Sequence, residues 1–306
     1  MLHFKLLGSA AGGGVPQWNC SCQICETCRS SPQQISPRLQ LQAAISCQPE
    51  SWFLINASPD LRFQIEGDPD LYPSSQRGKR NTPIKGIILT SADLDQVLGV
   101  LLLREFQPLT IYATPLVRKV LEANSFFEML NRVPNQLTWV DIFPNVPFVL
   151  DGNITCTPIP LSGSLPYYAR HLQMEESDLA NVGLTLESEG RRIAYTPSVP
   201  DITEELRAIY NSCDVILVDG TFWSDAELSR THSGTPLARS IGHVPMSGDD
   251  GTVALLADVT RPNKVFIHIN NTNPVLDQRS NEYRVVRNAG WNIGHDGWQL
   301  KWQTTS

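Results

Sequence analysis

Lys85-Gly-Ile-Ile-Leu-Thr-Ser-Ala-Asp-Leu-Asp-Gln96 passes from an apolar segment directly into a polar cluster. The paired isoleucines predict a buried strand over 85–89, and the apolar residues from Leu94 onward predict a helix over 94–105. Thr90, Ser91, Asp93, Asp95 and Gln96 then lie on the turn between them. Two other apolar strands end in the same way, Val218 before Asp219-Gly220 and Phe266-Ile267 before His268-Ile269-Asn270-Asn271. Layered α/β folds build their sites at strand ends, so the three turns are expected to share one cleft.

The rest of the chain is read outward from this stretch. Strands are expected at 4–7, 41–47, 52–56, 110–113, 137–141, 154–158, 182–187, 192–195, 215–218, 265–269 and 298–302. Ser58 is expected to cap a helix whose first turn holds Pro59. Helices are also expected over 115–130, 246–259 and 281–288, with an exposed connection at 68–84 and an irregular, lid-like stretch at 161–179. Two halves of mixed strands, each followed by helices, predict an α/β four-layer αββα sandwich. The lack of a linker predicts one domain over 1–306.

Four of the seven cysteines, Cys20, Cys22, Cys25 and Cys28, fall close together behind the glycine-rich Gly12-Gly13-Gly14. A Cys-x-Cys-x-x-Cys loop places three sulfurs on one ion, which suits a structural Zn2+. A redox dithiol at Cys22-Gln-Ile-Cys25 or Cys25-Glu-Thr-Cys28 is the competing reading. Cys47, Cys156 and Cys213 have apolar neighbours and read as core thiols.

Hydrophobic content of 41% and charged content of 18% fit a globular protein, and 306 residues bury a core without disulfide staples. A net charge of −7 with no basic stripe argues against nucleic-acid binding. The longest apolar run, 97–103, is far short of the ~20 residues of a membrane span, and the N-terminus lacks the apolar core of a signal peptide. Closely spaced thiols favour a reducing compartment, so a cytoplasmic location is expected.

Among the candidate site residues, oxygen ligands predominate. Asp95, His268 and Asp93 suit a single metal with open positions, comparable to a non-haem iron site. The alternative is that Asp93 or Asp95 caps the following helix. Asp219 is either a ligand or an ordinary strand-end carboxylate that accepts backbone hydrogen bonds. His243, between Gly242 and Val244-Pro245, is placed on a tight turn at the cleft. Asn270 and Asn271 fix the His268 tautomer or bind substrate. Tyr167, Tyr168 and His171 are candidate cleft residues, whereas His3, His232 and His295 have no supporting context.

The motifs, taken together, resemble the B-protein family of pyrroloquinoline quinone (PQQ) biosynthesis. The likeness spans nearly the whole chain and is carried by Leu7-Gly-Ser-Ala-Ala-Gly-Gly-Gly14, Pro16-Gln-Trp-Asn-Cys-x-Cys-x-x-Cys25, Asn56-Ala-Ser-Pro-Asp60, Gly86-Ile-Ile-Leu-Thr90, Asn181-Val-Gly-Leu184, Val218-Asp-Gly-Thr221, Gly242-His243 and Ile267-His-Ile-Asn-Asn-Thr-Asn-Pro274. The resemblance implies the metallo-β-lactamase fold. Ser91-x-Asp93-x-Asp95-Gln96 has the register of that superfamily's His-x-His-x-Asp-His motif with its histidines replaced, and Gly99 follows where the superfamily also has glycine. Compared with the PQQ family's own pattern, Ser91, Asp93 and Gln96 differ and Asp95 remains; a metal-binding histidine is replaced by Gln96. Cys28 is an addition to the usual three cysteines. It competes for the fourth zinc position with the neighbourhood of Asn271, where phosphodiesterase relatives carry a histidine.

Three functions follow from the resemblance. The first is an Fe2+- and oxygen-dependent hydroxylase acting on a tyrosine-derived, small-molecule or peptide-derived PQQ precursor. The second is a non-catalytic carrier for transport of PQQ or its precursor to the periplasm. The third is a metal-dependent hydrolase. In the first, Asp95, His268, Asp93 and Asp219 are the cleft-metal candidates, His243 and Asp95 the catalytic ones, and a homodimer is left open.

Overall fold

Two mixed sheets of seven strands carry the fold in the computed structural model, which describes residues 2–172, 179–231 and 234–302. In chain order the strands are β1 (Leu2–Gly8), β2 (Gln42–Gln48), β3 (Ser51–Ile55), β4 (Ile84–Ile88), β5 (Leu109–Ala113), β6 (Leu137–Asp141), β7 (Phe148–Leu150), β8 (Ile154–Leu161), β9 (Asn181–Ser188), β10 (Arg191–Thr196), β11 (Val215–Asp219), β12 (Asn263–Ile267), β13 (Trp291–Ile293) and β14 (Gln299–Trp302). The helices are α1 (Gln23–Ser30), α2 (Leu61–Glu66), α3 (Leu94–Val97), α4 (Pro115–Glu122), α5 (Glu204–Ser212), α6 (Thr252–Leu255) and α7 (Asn281–Asn288). The sheet orders are β14-β1-β2-β3-β4-β5-β6 and β13-β12-β11-β10-β9-β8-β7. In each sheet the pairings from one edge to β3 or β10 are antiparallel and the remainder are parallel.

Alternation along the strands produces four layers. Ile88, Ile55 and Phe4 meet Leu184, Tyr195 and Leu217 between the sheets, all fully buried. Ile87 and Leu54 face outward onto Val117 and Leu121 of α4. Ile216 and Phe266 face outward onto Tyr210 of α5 and Val286 of α7. Successive residues of a strand point to opposite faces, so a strand covered on both sides is apolar at every position; this is why 85–89 reads as an unbroken run. The expected αββα sandwich is the one observed. No helix among the described residues is long and apolar enough to cross a membrane.

Several expected elements are shorter or begin elsewhere. The expected 94–105 helix is α3 followed by a 3-10 segment, Leu98–Leu103. Gly99 lies directly against the turn after β3, its N–H donating to the Ala57 carbonyl at 2.8 Å, and a Cβ there would stand 2.2 Å from the Ser58 carbonyl oxygen. Ser58 is not the cap of α2, which starts at Leu61 after Asp60. Instead the Ser58 hydroxyl donates to Gln64 and accepts from the Asp60 N–H. The 115–130 helix divides into α4 and a 3-10 turn, Phe127–Asn131. Only α6 is helical within 246–259, because the Met246 and Ser247 N–H groups are taken by the Phe222 and Trp223 carbonyls. In the irregular 161–179 stretch, a 3-10 turn (Tyr167–Leu172) lies over the sheet end; 173–178 and His232 lie outside the described residues.

Strands β4, β11 and β12 end on the same side of the sandwich. The sheets are tied together there by the Val182 N–H to the Thr90 carbonyl at 2.9 Å and the Ala11 N–H to the Ile269 carbonyl at 2.9 Å.

Candidate metal centre

The turns after β4, β11 and β12 open into one cavity of about 670 Å³, lined by Asp93, Asp95, Gln96, His243, His268 and Asn270 among others. Its walls are largely apolar, with Leu94, Leu98, Phe222 and Ile241, and no lysine or arginine lines it among the described residues. Tyr168 anchors the 3-10 turn over the cavity by donating to the Ala92 carbonyl at 2.6 Å. Tyr167, beside it, is exposed at the mouth. His171 is exposed, its Nδ1 2.8 Å from the Tyr168 carbonyl, and does not line the cavity.

Asp219 ends β11 fully buried, and its carboxylate accepts four hydrogen bonds. They come from the Val199 N–H (2.9 Å), the Thr221 N–H (3.0 Å), the Thr221 hydroxyl (2.6 Å) and His243 Nδ1 (2.7 Å). A carboxylate has about four acceptor sites, so none remains for a metal in this arrangement. Of the two roles open to Asp219, the geometry favours the hydrogen-bonded anchor, although its oxygen lies within 4.8 Å of a nitrogen of both His243 and His268. Burial pushes its carboxyl upward, but His243, His268 and the Thr221 bond outweigh this and leave it below the usual carboxylate range.

These contacts fix both imidazoles. A carboxylate only accepts, so His243 Nδ1 carries the proton it gives to Asp219. The Thr221 hydroxyl spends its proton on Asp219 and therefore accepts from His268 Nδ1 at 2.7 Å. In its neutral form each ring is left with an unprotonated Nε2, and at His243, whose pKa is raised, a metal bound there displaces a proton. This is the arrangement in which a second contact fixes the tautomer of a metal-binding histidine. Burial depresses the His243 pKa, yet Asp219 more than compensates and holds it above the ordinary value.

His268 Nε2 stands 3.3 Å from Asp95 Oδ2. With Nδ1 protonated in the neutral ring, both atoms offer lone pairs, an arrangement that a bound cation or a second proton on the ring satisfies. The His268 backbone adopts the left-handed region at φ 59°, which turns the side chain off β12 into the cleft. Asp93 occupies the N-cap position of α3, but its side chain makes no cap bond; it accepts from Ser91 Oγ at 2.8 Å. Capping by Asp93 is therefore not what the structure shows. Burial, then the Asp95 charge, pushes its carboxyl up.

A second cluster lies on the glycine loop. The Cys20, Cys22 and Cys25 sulfurs all lie within 4.8 Å of one another. The Asn271 side chain reaches Cys25 Sγ at 3.3 Å and Cys22 Sγ at 3.9 Å. Arg29 braces the loop through the Cys20 and Gln17 carbonyls at 2.6 and 2.5 Å. Burial and the neighbouring thiols push the Cys22 thiol up to about 12, so three thiolates need a bound cation to coexist.

Two expectations are corrected here. Cys28 is not in this group; it sits a turn further along α1, buried in the apolar layer with Ile24 and Ile35. Asn271 does not line the cleft but faces the cysteines, and only Asn270 of the pair is on the cavity wall. Thr221 was not singled out from the sequence, although it links both histidines to Asp219. Its signals are its place two residues past a strand-end aspartate and its membership of the Val218-Asp-Gly-Thr221 segment. Glu227 was also missed. It accepts from the Trp223 N–H and the Thr272 hydroxyl, both at 2.5 Å, and burial raises its carboxyl to about 7.

With this geometry in place, comparison with known proteins is specific. The beta-lactamase superfamily domain matches residues 51–269. Coenzyme PQQ synthesis protein B of Methylobacterium nodulans is 40% identical over 299 residues, covering 97% of this chain and 98% of that protein. The protein of the same name from Methylorubrum extorquens strain PA1 is 40% identical over 303 residues, covering 98% and 99%. The crystal structure of Zn2+-bound PqqB from Methylobacterium extorquens superposes with a TM-score of 0.91 at 39% identity, covering 98% of this chain and all of that one (100%). A diphosphatase of the PhnP family, at 19% identity and a TM-score of 0.67, shares the fold.

Proposed function

Because the chain belongs to the coenzyme PQQ synthesis protein B family, within the beta-lactamase superfamily, and so to PQQ biosynthesis, we propose that its cleft hydroxylates a tyrosine-derived PQQ precursor with the help of one metal ion. The observation that carries this reading is the pair of imidazoles, each held through Nδ1, with His268 Nε2 3.3 Å from Asp95 Oδ2. Two histidines and one carboxylate with open positions are the donor set of non-haem Fe2+ oxygenases. In this proposal His243, His268 and Asp95 would hold the ion, although the ligand atoms that already lie within 4.8 Å of one another are those of Asp219, His243 and His268; Asp219 and Thr221 orient the two rings. Ferrous iron in such a site would supply oxygen activation: one oxygen atom enters the ring and the other leaves as water, with two protons and two electrons taken from an added reductant. Asp93, whose carboxyl is raised, stands beside Asp95 as a proton-holding group, while Leu94, Leu98, Phe222 and the Tyr167–Leu172 turn keep water from the ring to be hydroxylated.

Zinc belongs on the cysteine cluster in this proposal, as three thiolates suit it, Asn271 Nδ2 donates to two of the sulfurs and the M. extorquens protein is Zn2+-bound. Cys22 Sγ lies 3.6 Å from the Asn271 carbonyl, and Asn271 is three residues from His268, so the zinc loop braces the strand end that presents the histidine. Free thiols of this kind fit a cytoplasmic setting. Phosphodiester hydrolysis is disfavoured by the absence of lysine or arginine around the cavity among the described residues.

The test is anaerobic Fe2+ titration followed by oxygen-consumption assays with a tyrosine-containing precursor peptide and ascorbate as the two-electron reductant. Stoichiometric Fe2+ binding and precursor-dependent oxygen uptake, both lost in His268→Ala, are expected. Tight precursor binding without Fe2+ in the cleft overturns the hydroxylase and supports a carrier.

A further inference from the structure

Gln96 is 2% exposed and borders the cleft, and a chain of hydrogen bonds starting at a backbone amide fixes which way its side chain points. The Thr90 N–H donates to Asn56 Oδ1 at 2.9 Å, which sets the orientation of the Asn56 amide. Asn56 Nδ2 then donates to Thr90 Oγ1 at 3.0 Å. Thr90 Oγ1 has one proton, and Gln96 Oε1 at 2.7 Å takes it. Ser91 Oγ lies 3.2 Å from the same oxygen and hands its own proton to Asp93. The oxygen of Gln96 is thus turned away from the cavity and occupied, while Nε2 has no partner among the described residues. Asn56 Oδ1 also lies within reach of Thr90 Oγ1, at 3.1 Å, but the 2.7 Å contact is the length of an O–H···O bond and shorter than a usual N–H···O bond, which assigns the near atom of Gln96 as its oxygen.

We propose that Gln96 is a substrate-recognition residue, not a metal ligand, donating from Nε2 to a carbonyl or carboxylate oxygen held next to the His243–His268–Asp95 centre. An amide nitrogen offers no lone pair to a metal, and the only ligating atom of the side chain is engaged by Thr90. The donor is neutral and, among the described residues, no lysine or arginine backs it up. It therefore suits one carbonyl or carboxylate oxygen and is a poor match for phosphate. The inference rests on the cleft being the binding site for a PQQ precursor.

The test uses PQQ, a quinone with carbonyl oxygens, as the probe in equilibrium dialysis against wild type, Gln96→Leu and Gln96→Glu, with metal content of wild type and Gln96→Leu counted by elemental analysis. Gln96→Glu keeps an acceptor for Thr90 and replaces the N–H donors by a charged acceptor, so it reports on recognition even where the leucine variant folds poorly. Both variants are expected to bind PQQ about tenfold more weakly or worse, with the metal content of Gln96→Leu unchanged. Affinities within about twofold of wild type overturn the donor role and leave the proposed function standing. Loss of a metal ion in Gln96→Leu identifies a ligand and overturns it as well. Wild-type protein that fails to bind PQQ overturns the cleft reading and this inference together.

Discussion

Asp219→Asn perturbs the centre with almost no change of shape. The native carboxylate accepts from the Val199 N–H, the Thr221 N–H, the Thr221 hydroxyl and His243 Nδ1, at 2.6–3.0 Å. The amide retains one acceptor oxygen. Turned toward Thr221 it keeps two of the bonds, and Nδ2 then faces two other donors. The Val199 N–H, on a residue 1% exposed, loses its acceptor at about 1–3 kcal/mol. His243 changes tautomer so that Nδ1 accepts from the new amide, and Nε2 becomes an N–H that no longer binds metal. Loss of the charge-assisted bond brings the total to about 2–4 kcal/mol, equivalent to roughly 3–6 °C in Tm. Urea unfolding of the metal-free proteins measures the first effect and elemental analysis after Fe2+ loading the second. A variant that stays within about 0.5 kcal/mol of wild type and keeps its cleft metal would refute the assignment of Asp219 as the anchor of His243.

The other predictions test separate parts of the account. Glu227, raised to about 7 in the folded state against an ordinary value near 4.5, favours its protonated form there. Its contribution to stability is complete below pH 4.5 and is lost as pH rises through about 7, a fall of about 3 kcal/mol that Glu227→Gln should flatten in urea titrations across that window. Gly99→Ala pushes a methyl group to 2.2 Å from the Ser58 carbonyl oxygen and should cost about 3 kcal/mol in chemical denaturation; a neutral result contradicts the close packing of that turn. Cys22→Ala should lose the loop zinc, whereas Cys28→Ala should keep it and lose only about 1–2 kcal/mol of packing; equal zinc loss in both would return Cys28 to the ligand set.

Much of this was legible in the sequence because burial on both faces forces continuous apolar strands, and such strands end where polar residues begin. Thr90, Asp219 and His268 mark those ends, and all three turns open on one cavity as expected. The helices were less legible because tertiary contacts shape them. Gly99 against Ala57 tightens the 94–105 stretch, and the bonds of Met246 and Ser247 to the Phe222–Trp223 turn replace a helix the composition allowed. Spacing alone suggested that Cys28 could ligate, because a Cys-x-x-Cys pair shares one helical face. The structure turns Cys28 into the core and brings Asn271, distant in sequence, to the sulfurs instead. Asp219 was ambiguous because a carboxylate's role depends on the donors around it. Those donors come from Val199, Thr221 and His243, on separate loops.

The centre itself is tested most directly by X-ray absorption and crystallography of the Fe2+-loaded protein. The ion should lie on His243 Nε2, His268 Nε2 and an Asp95 oxygen, with Asp219 still hydrogen-bonded to His243 Nδ1. An ion bound through Asp219 and the Nδ1 atoms, or a loaded crystal with iron nowhere in the cleft, contradicts the account.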